Sequence, residues 1–79
     1  GNTCDLRGLR VDEAIATIER FLDAQILRGA NAVFLLHGHG TGALKAAVRD
    51  WLRTAPGVRQ WRPAERGEGG DAFTVVEVE

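Results

Sequence analysis

The sequence predicts an α/β domain of element order βαβαββ, a mixed sheet of four strands with two helices. Three observations carry this. Two segments repeat apolar residues at helical spacing, a short run between them is continuously apolar, and glycine and proline clusters separate all the pieces. A chain of 79 residues has room for one domain with a modest core, because surface outweighs volume at this size. The sequence begins Gly1-Asn2-Thr3 without methionine, and a piece of a larger protein is expected.

Thr3 to Leu6 is a short strand candidate closed by Gly8. Val11, Ala14, Ile15, Ile18, Phe21, Leu22 and Ile26 then recur with the period of a helix running from about 10 to 28. Asp12 and Glu13 sit in its first turn, where carboxylates suit the positive end of the helix dipole, and Gly29 stops it. Ala32-Val33-Phe34-Leu35-Leu36 is too short for a helix and rich in strand formers, so a central strand buried on both faces is expected.

Gly38, Gly40 and Gly42 break regular structure before Leu44, Ala47, Val48, Trp51, Leu52 and Ala55 mark a second amphipathic helix, stopped by Pro56-Gly57. Val58 to Arg62 reads as a strand in which Arg59 and Trp61 alternate with Gln60 and Arg62. A Gly-rich turn from Ala64 to Asp71 leads to a last strand, Phe73 to Val78, able to pair with its predecessor as a hairpin.

Hydrophobic residues make up 44% and charged residues 27%, an ordinary globular balance, with no run long enough to span a membrane. Cys4 is the single cysteine, so an internal disulfide or a multi-cysteine zinc framework is excluded by count. A reducing bacterial cytoplasm is the expected compartment. The net charge of −1 hides a basic middle, because His37 to Arg66 holds Lys45, Arg49, Arg53, Arg59, Arg62 and Arg66 against Asp50 and Glu65 alone.

In parallel βα units, functional groups gather where strands end and helices begin. Asp5-Leu6-Arg7-Gly8 and His37-Gly38-His39-Gly40-Thr41-Gly42 both follow strands, and a right-handed crossover places them on one edge. Alternate glycines let the backbone approach a ligand, and the helix starting near Gly42 aims free amides at an anion such as phosphate. Lys45 is poorly placed against that helix dipole unless an anion joins it, and Arg7 offers a bidentate fork.

His37, at the end of a buried strand, is the candidate proton carrier, with Asp5 to orient it or to act as base. The plainer alternative is that Asp5 caps a loop, His37 is bonded internally at a strand end, and the glycines make a tight turn. His37, His39 and Asp5 also form a conceivable metal set, although alternate residues of such a loop point apart. Gly38-x-Gly40-x-x-Ala43 matches a dinucleotide fingerprint only formally, and no P-loop is present. Cys4 fits a buried strand and Trp51 the helix core; Trp61 fits either the core or a base-stacking position beside Arg59 and Arg62.

Asp5-Leu6-Arg7-Gly8-Leu9 and His37-Gly38-His39-Gly40-Thr41-Gly42-Ala43-Leu44, with the tail Gly67-Glu68-Gly69-Gly70-Asp71, resemble the signature motifs of the Smr (small MutS-related) domain over nearly the whole chain. The resemblance implies a two-layer α/β sandwich related to the C-terminal domain of translation initiation factor three. It also implies a place at the C-terminus of a MutS-like protein of the second, non-mismatch-repair bacterial class. Many members of the family carry His where this chain has Arg7, which argues against a two-histidine mechanism here.

Together the residues and the resemblance lead to an expected endonuclease that nicks DNA or cuts RNA. Asp5, Arg7 and His37 are the expected catalytic group; Gly38, His39, Gly40, Thr41, Gly42, Lys45 and Arg49 are the expected phosphate and nucleic-acid contacts. No intrinsic cofactor or metal is expected, with a divalent cation as an option. Expected partners are DNA, or rRNA or mRNA on the ribosome, within a parent that dimerises through other domains and suppresses recombination or acts on stalled ribosomes. The competing classes are a non-catalytic module that docks on nucleic acid or the ribosome, and a protein-interaction domain.

Overall fold

A computed structural model describes all residues, Gly1–Glu79. It contains β1 (Thr3–Asp5), α1 (Val11–Leu27), β2 (Ala32–Leu36), α2 (Ala43–Leu52), β3 (Val58–Pro63) and β4 (Phe73–Val78), with single helical turns at Arg66–Glu68 and Gly70–Ala72. The βαβαββ order is present, and strand order across the sheet is β1-β2-β4-β3. β1 runs parallel to β2, whereas β4 pairs antiparallel with both β2 and β3. The second crossover therefore skips one position, which the final hairpin strand fills.

Each helix boundary has a local cause. The Arg10 backbone N–H at the start of α1 donates to the Glu13 carboxylate at 3.0 Å, which satisfies one of the amides left free at the helix entry. At its other end, the Gly29 and Ala30 amides cap the last turn through the Ile26 and Gln25 carbonyls. Ala14, Ile18 and Leu22 of α1 and Val48 and Leu52 of α2 are buried against Val33, Leu35, Val76 and Val78. Burying each of the larger side chains contributes about 1.5–3 kcal/mol, and Ile18→Ala removes about 2–5 kcal/mol including the cavity it leaves. No helix is long and apolar enough to cross a membrane.

The sheet has one covered face, which corrects the expectation for β2. Val33 and Leu35 are fully buried, but Ala32, Phe34 and Leu36 are only half-buried on the opposite face. Both crossovers step the same way across the sheet, so the right-handed rule puts α1 and α2 on the same side. A second departure lies in β3, where the register shifts between Val58 and Gln60. This bulge turns Arg59 out of the alternation, so Val58 and Trp61 pack on the core while Arg59, Gln60 and Arg62 are exposed.

Candidate nucleic-acid interface

Parallel pairing of β1 with β2 brings the two glycine-marked loops side by side, and the Leu6 amide extends the ladder to the Leu36 carbonyl at 2.8 Å. Gly38 lies in the left-handed region with φ of +78°, and a Cβ there would stand 3.4 Å from Arg7 Cγ. A side chain at that position would thus meet both backbone strain and the neighbouring loop. Between the loops lies a groove of about 340 Å³, lined by Gly8 to Val11 on one side and by His37 and His39 to Leu44 on the other.

The backbone of the second loop divides its amides between two tasks. His37 and Gly38 both donate to the Ala72 carbonyl, at 3.1 and 3.0 Å, and tie the loop to the strand end of β4. Gly42, with φ of +87°, starts α2 without a side-chain cap, and Ala43 donates to Thr41 Oγ1 at 3.3 Å. The amides of His39, Gly40, Thr41, Leu44 and Lys45 have no acceptor within the protein. Free amides at a turn and a helix start form a concave anion site, reinforced by the helix dipole.

Asp5 and Arg7 form a bidentate pair, with Nε and Nη2 of Arg7 at 3.0 and 2.8 Å from the two carboxylate oxygens. The Arg7 amide adds a third bond at 3.0 Å. The Arg7 guanidinium and amide bonds lower the Asp5 carboxyl to a pKa of about 2. Neither residue lines the groove, and Asp5 shares a register position with Leu36, on the sheet face away from the helices. The fork read as a phosphate clamp is occupied by its own neighbour.

His37 is buried and engaged at both ring nitrogens. Nδ1 stands 2.9 Å from the Gly38 carbonyl, which only accepts, so Nδ1 carries the proton. Nε2 stands 2.8 Å from Thr74 Oγ1, and that hydroxyl itself accepts from Arg49 Nε at 2.9 Å, so Thr74 donates to the ring. Burial, the largest influence, pushes the imidazole pKa below its ordinary value and so favours the uncharged ring. Asp5 does not orient His37; the partners of the ring are Gly38 and Thr74. His39, by contrast, is exposed in the groove and its ring makes no bond within the protein.

Lys45 and Arg49 converge on Asp71, with Lys45 Nζ at 2.5 Å and Arg49 Nη2 at 3.1 Å from its carboxylate oxygens. These two bonds, that from Lys45 first, hold the Asp71 carboxyl below its usual range. The misplacement of Lys45 near the start of α2 is therefore relieved by an internal carboxylate. Three residues were not among the expected site residues: Thr74, Asp71 and Arg10, which lines the groove and whose exposed guanidinium stands 3.6 Å from Asp12 and 3.7 Å from Glu13. A hydroxyl beside the apolar run Val75-Val76, at the second position of β4, was the available signal for Thr74. No group of three or more His, Cys, Asp or Glu side chains is arranged to hold a metal ion.

The Smr domain family model matches residues 4–79. Similar proteins include the Endonuclease MutS2 of Anaeromyxobacter sp. (strain Fw109-5), 54% identical over 91% of this chain and 9% of the relative. The Endonuclease MutS2 of Clostridium botulinum (strain 657 / Type Ba4) is 43% identical over 98% of this chain and 10% of its own length. The chain thus spans about a tenth of these relatives. The crystal structure of the Smr domain of Thermus thermophilus MutS2 superposes with a TM-score of 0.95 at 40% identity, covering 100% of this chain and 99% of that one. YdaL, a stand-alone small MutS-related protein from Escherichia coli, shares the fold at a TM-score of 0.89 and 20% identity, over 99% of this chain and 64% of its own. With both loop motifs, the βαβαββ sheet and a family match over nearly its full length, this chain belongs to the Smr domain family.

Proposed function

We propose that the domain binds a nucleic-acid phosphodiester in the groove between its two loops and serves as the nuclease module of an endonuclease of the MutS2 kind. The observation that carries the reading is the set of unpaired amides from His39 to Thr41 and at Leu44, in residues that line the groove together with Arg10. These groups stabilise the negative charge that grows on a phosphorus oxygen as a hydroxyl or water attacks. His39 is the imidazole open to the groove and carries the proton, while His37 holds the Gly38 carbonyl and the Arg7 side chain of the neighbouring loop leaves little room for anything but glycine at position 38.

Names of the relatives support the nuclease assignment, and DNA is the proposed substrate with RNA as the alternative. A divalent cation would enter with the phosphate, since the side chains alone supply no clustered ligand set. Recombination suppression, or action at stalled ribosomes, is the proposed setting of the longer protein, dimerised through other domains.

A purely binding module is the second reading, favoured by one observation: Asp5 and both nitrogens of His37 are already engaged. Nicking of supercoiled plasmid and cleavage of single-stranded RNA, with and without chelator, separate the two. The nuclease reading expects His39→Ala to slow cutting at least about 100-fold with the fold intact. Equal rates in wild type, His39→Ala and Arg10→Ala would overturn it, and salt-sensitive binding without any cutting would establish the binding module.

A further inference from the structure

A second groove, of about 360 Å³, opens between α2 and the edge strand β3. Ala46, Arg49, Asp50 and Arg53 form its helical wall, and Trp61 is the aromatic residue lining it. The Arg49 guanidinium lies over the Trp61 ring, 5.6 Å from its centre, and is held there by Asp71 and Thr74, so a base can stack only on the ring surface beside it. Arg53 is 72% exposed and only loosely paired, with its nearest Asp50 oxygen at 4.0 Å. This groove is continuous in chemistry with the loop groove, because Ala43 lines the first and Ala46, three residues on, shares its helix face and lines the second.

We propose that the α2/β3 groove takes an unpaired nucleobase of the strand whose phosphate occupies the loop groove. The base stacks on Trp61, and Arg53 pairs with the adjoining phosphate. The assignment rests on the nucleic-acid reading of the loop groove and names its substrate class as single-stranded or frayed rather than fully paired. An aromatic surface flanked by arginines suits a π-face of any sequence, which is the chemistry of single-strand recognition. The alanine at position 46 leaves the helical wall open to a flat ring, and the centre of the groove lies about 10 Å along α2 from the Gly42 cap. Asp50 adds an acceptor for an exocyclic amino group. A base inside a continuous duplex does not expose its face, so paired DNA enters only where the strands open.

The test uses the chain with Trp51→Phe, which leaves Trp61 as the sole tryptophan. Its emission is followed during titration with a short single-stranded oligodeoxynucleotide and with an abasic strand of equal phosphate number, while anisotropy of labelled strands reports binding. Quenching by the base-bearing strand alone is expected. Trp61→Ala weakens that strand about 5- to 150-fold and leaves the abasic strand unaffected. Arg53→Gln, at an exposed position that carries no packing, weakens both strands.

Saturating binding without a change in Trp61 emission overturns the stacking groove, as does an equal loss of both strands in Trp61→Ala. So does unaltered binding of both strands in Arg53→Gln, and so does failure to bind single strands at all. A chain that shows base-dependent quenching but never cuts keeps this groove and loses the nuclease reading; a chain that cuts with Trp61 silent does the reverse.

Discussion

The Thr74 hydroxyl lies 2.8 Å from His37 Nε2, donating to the ring while accepting from the Arg49 guanidinium 2.9 Å away. Through Nδ1, the same imidazole holds the Gly38 carbonyl at 2.9 Å. A chain of donors thus runs from α2 through β4 to the first glycine of the loop, and each group in it is satisfied. His37 acts by shaping the loop, which is why a histidine at a buried strand end does not need a free nitrogen.

Thr74→Val keeps the shape of the side chain but removes the donor to Nε2 and an acceptor for Arg49. The expected loss is about 1–3 kcal/mol in urea denaturation, the cost of leaving a buried polar group unpaired. Nitrogen-15 spectra should show His37 protonated at Nδ1 in the parent chain and a mixture of tautomers in the variant. An unchanged denaturation midpoint would remove the relay from the account of stability.

Stability should fall as the pH drops below the ordinary imidazole value of 6.5. Folding lowers the pKa of His37, so the unfolded chain binds a proton in this window while the folded chain does not, and protonation favours unfolding. Asp5 and Glu68, each with a pKa lowered to about 2, add a further loss only as the pH falls below the usual carboxylate range. Denaturation midpoints across these two windows check the order, and His37→Gln should flatten the upper limb alone. A parent chain equally stable at about pH 7 and about pH 5 would contradict it.

Asp71 neutralises Lys45 and Arg49 beside the loop groove, so Asp71→Asn should tighten binding to DNA and steepen its salt dependence. Lys45→Ala should do the opposite, lowering the magnitude of the logarithmic salt slope by about 1. Fluorescence anisotropy at graded salt measures both. If Asp71→Asn binds no better than the parent, the carboxylate only anchors the glycine-rich turn.

Much of the architecture is local and was legible. Ile18 and Leu22, or Val48 and Leu52, announce helix faces because 3.6-residue periodicity is written in neighbouring positions. Gly38 and Gly42 mark a loop because their dihedral angles exclude other residues. Register was less accessible: the bulge at Arg59 upsets a period of two, and nothing near it in sequence shows this. The partners of Asp5 and His37 were illegible for a related reason, since a residue type suggests chemistry but only the fold sets Arg7 against Asp5 and Gly38 with Thr74 against His37.

By itself, then, the order of residues determined the element sequence, the single sheet, the position of both loops on one edge and the family. Only the folded chain decided which groups face the groove. Thr74 reaches His37 across 37 residues and Asp71 reaches Lys45 across 26, and such contacts arise when β4 inserts between β2 and β3. Pairing at that distance depends on the packing of the whole sheet, whereas periodicity and glycine turns depend only on adjacent residues.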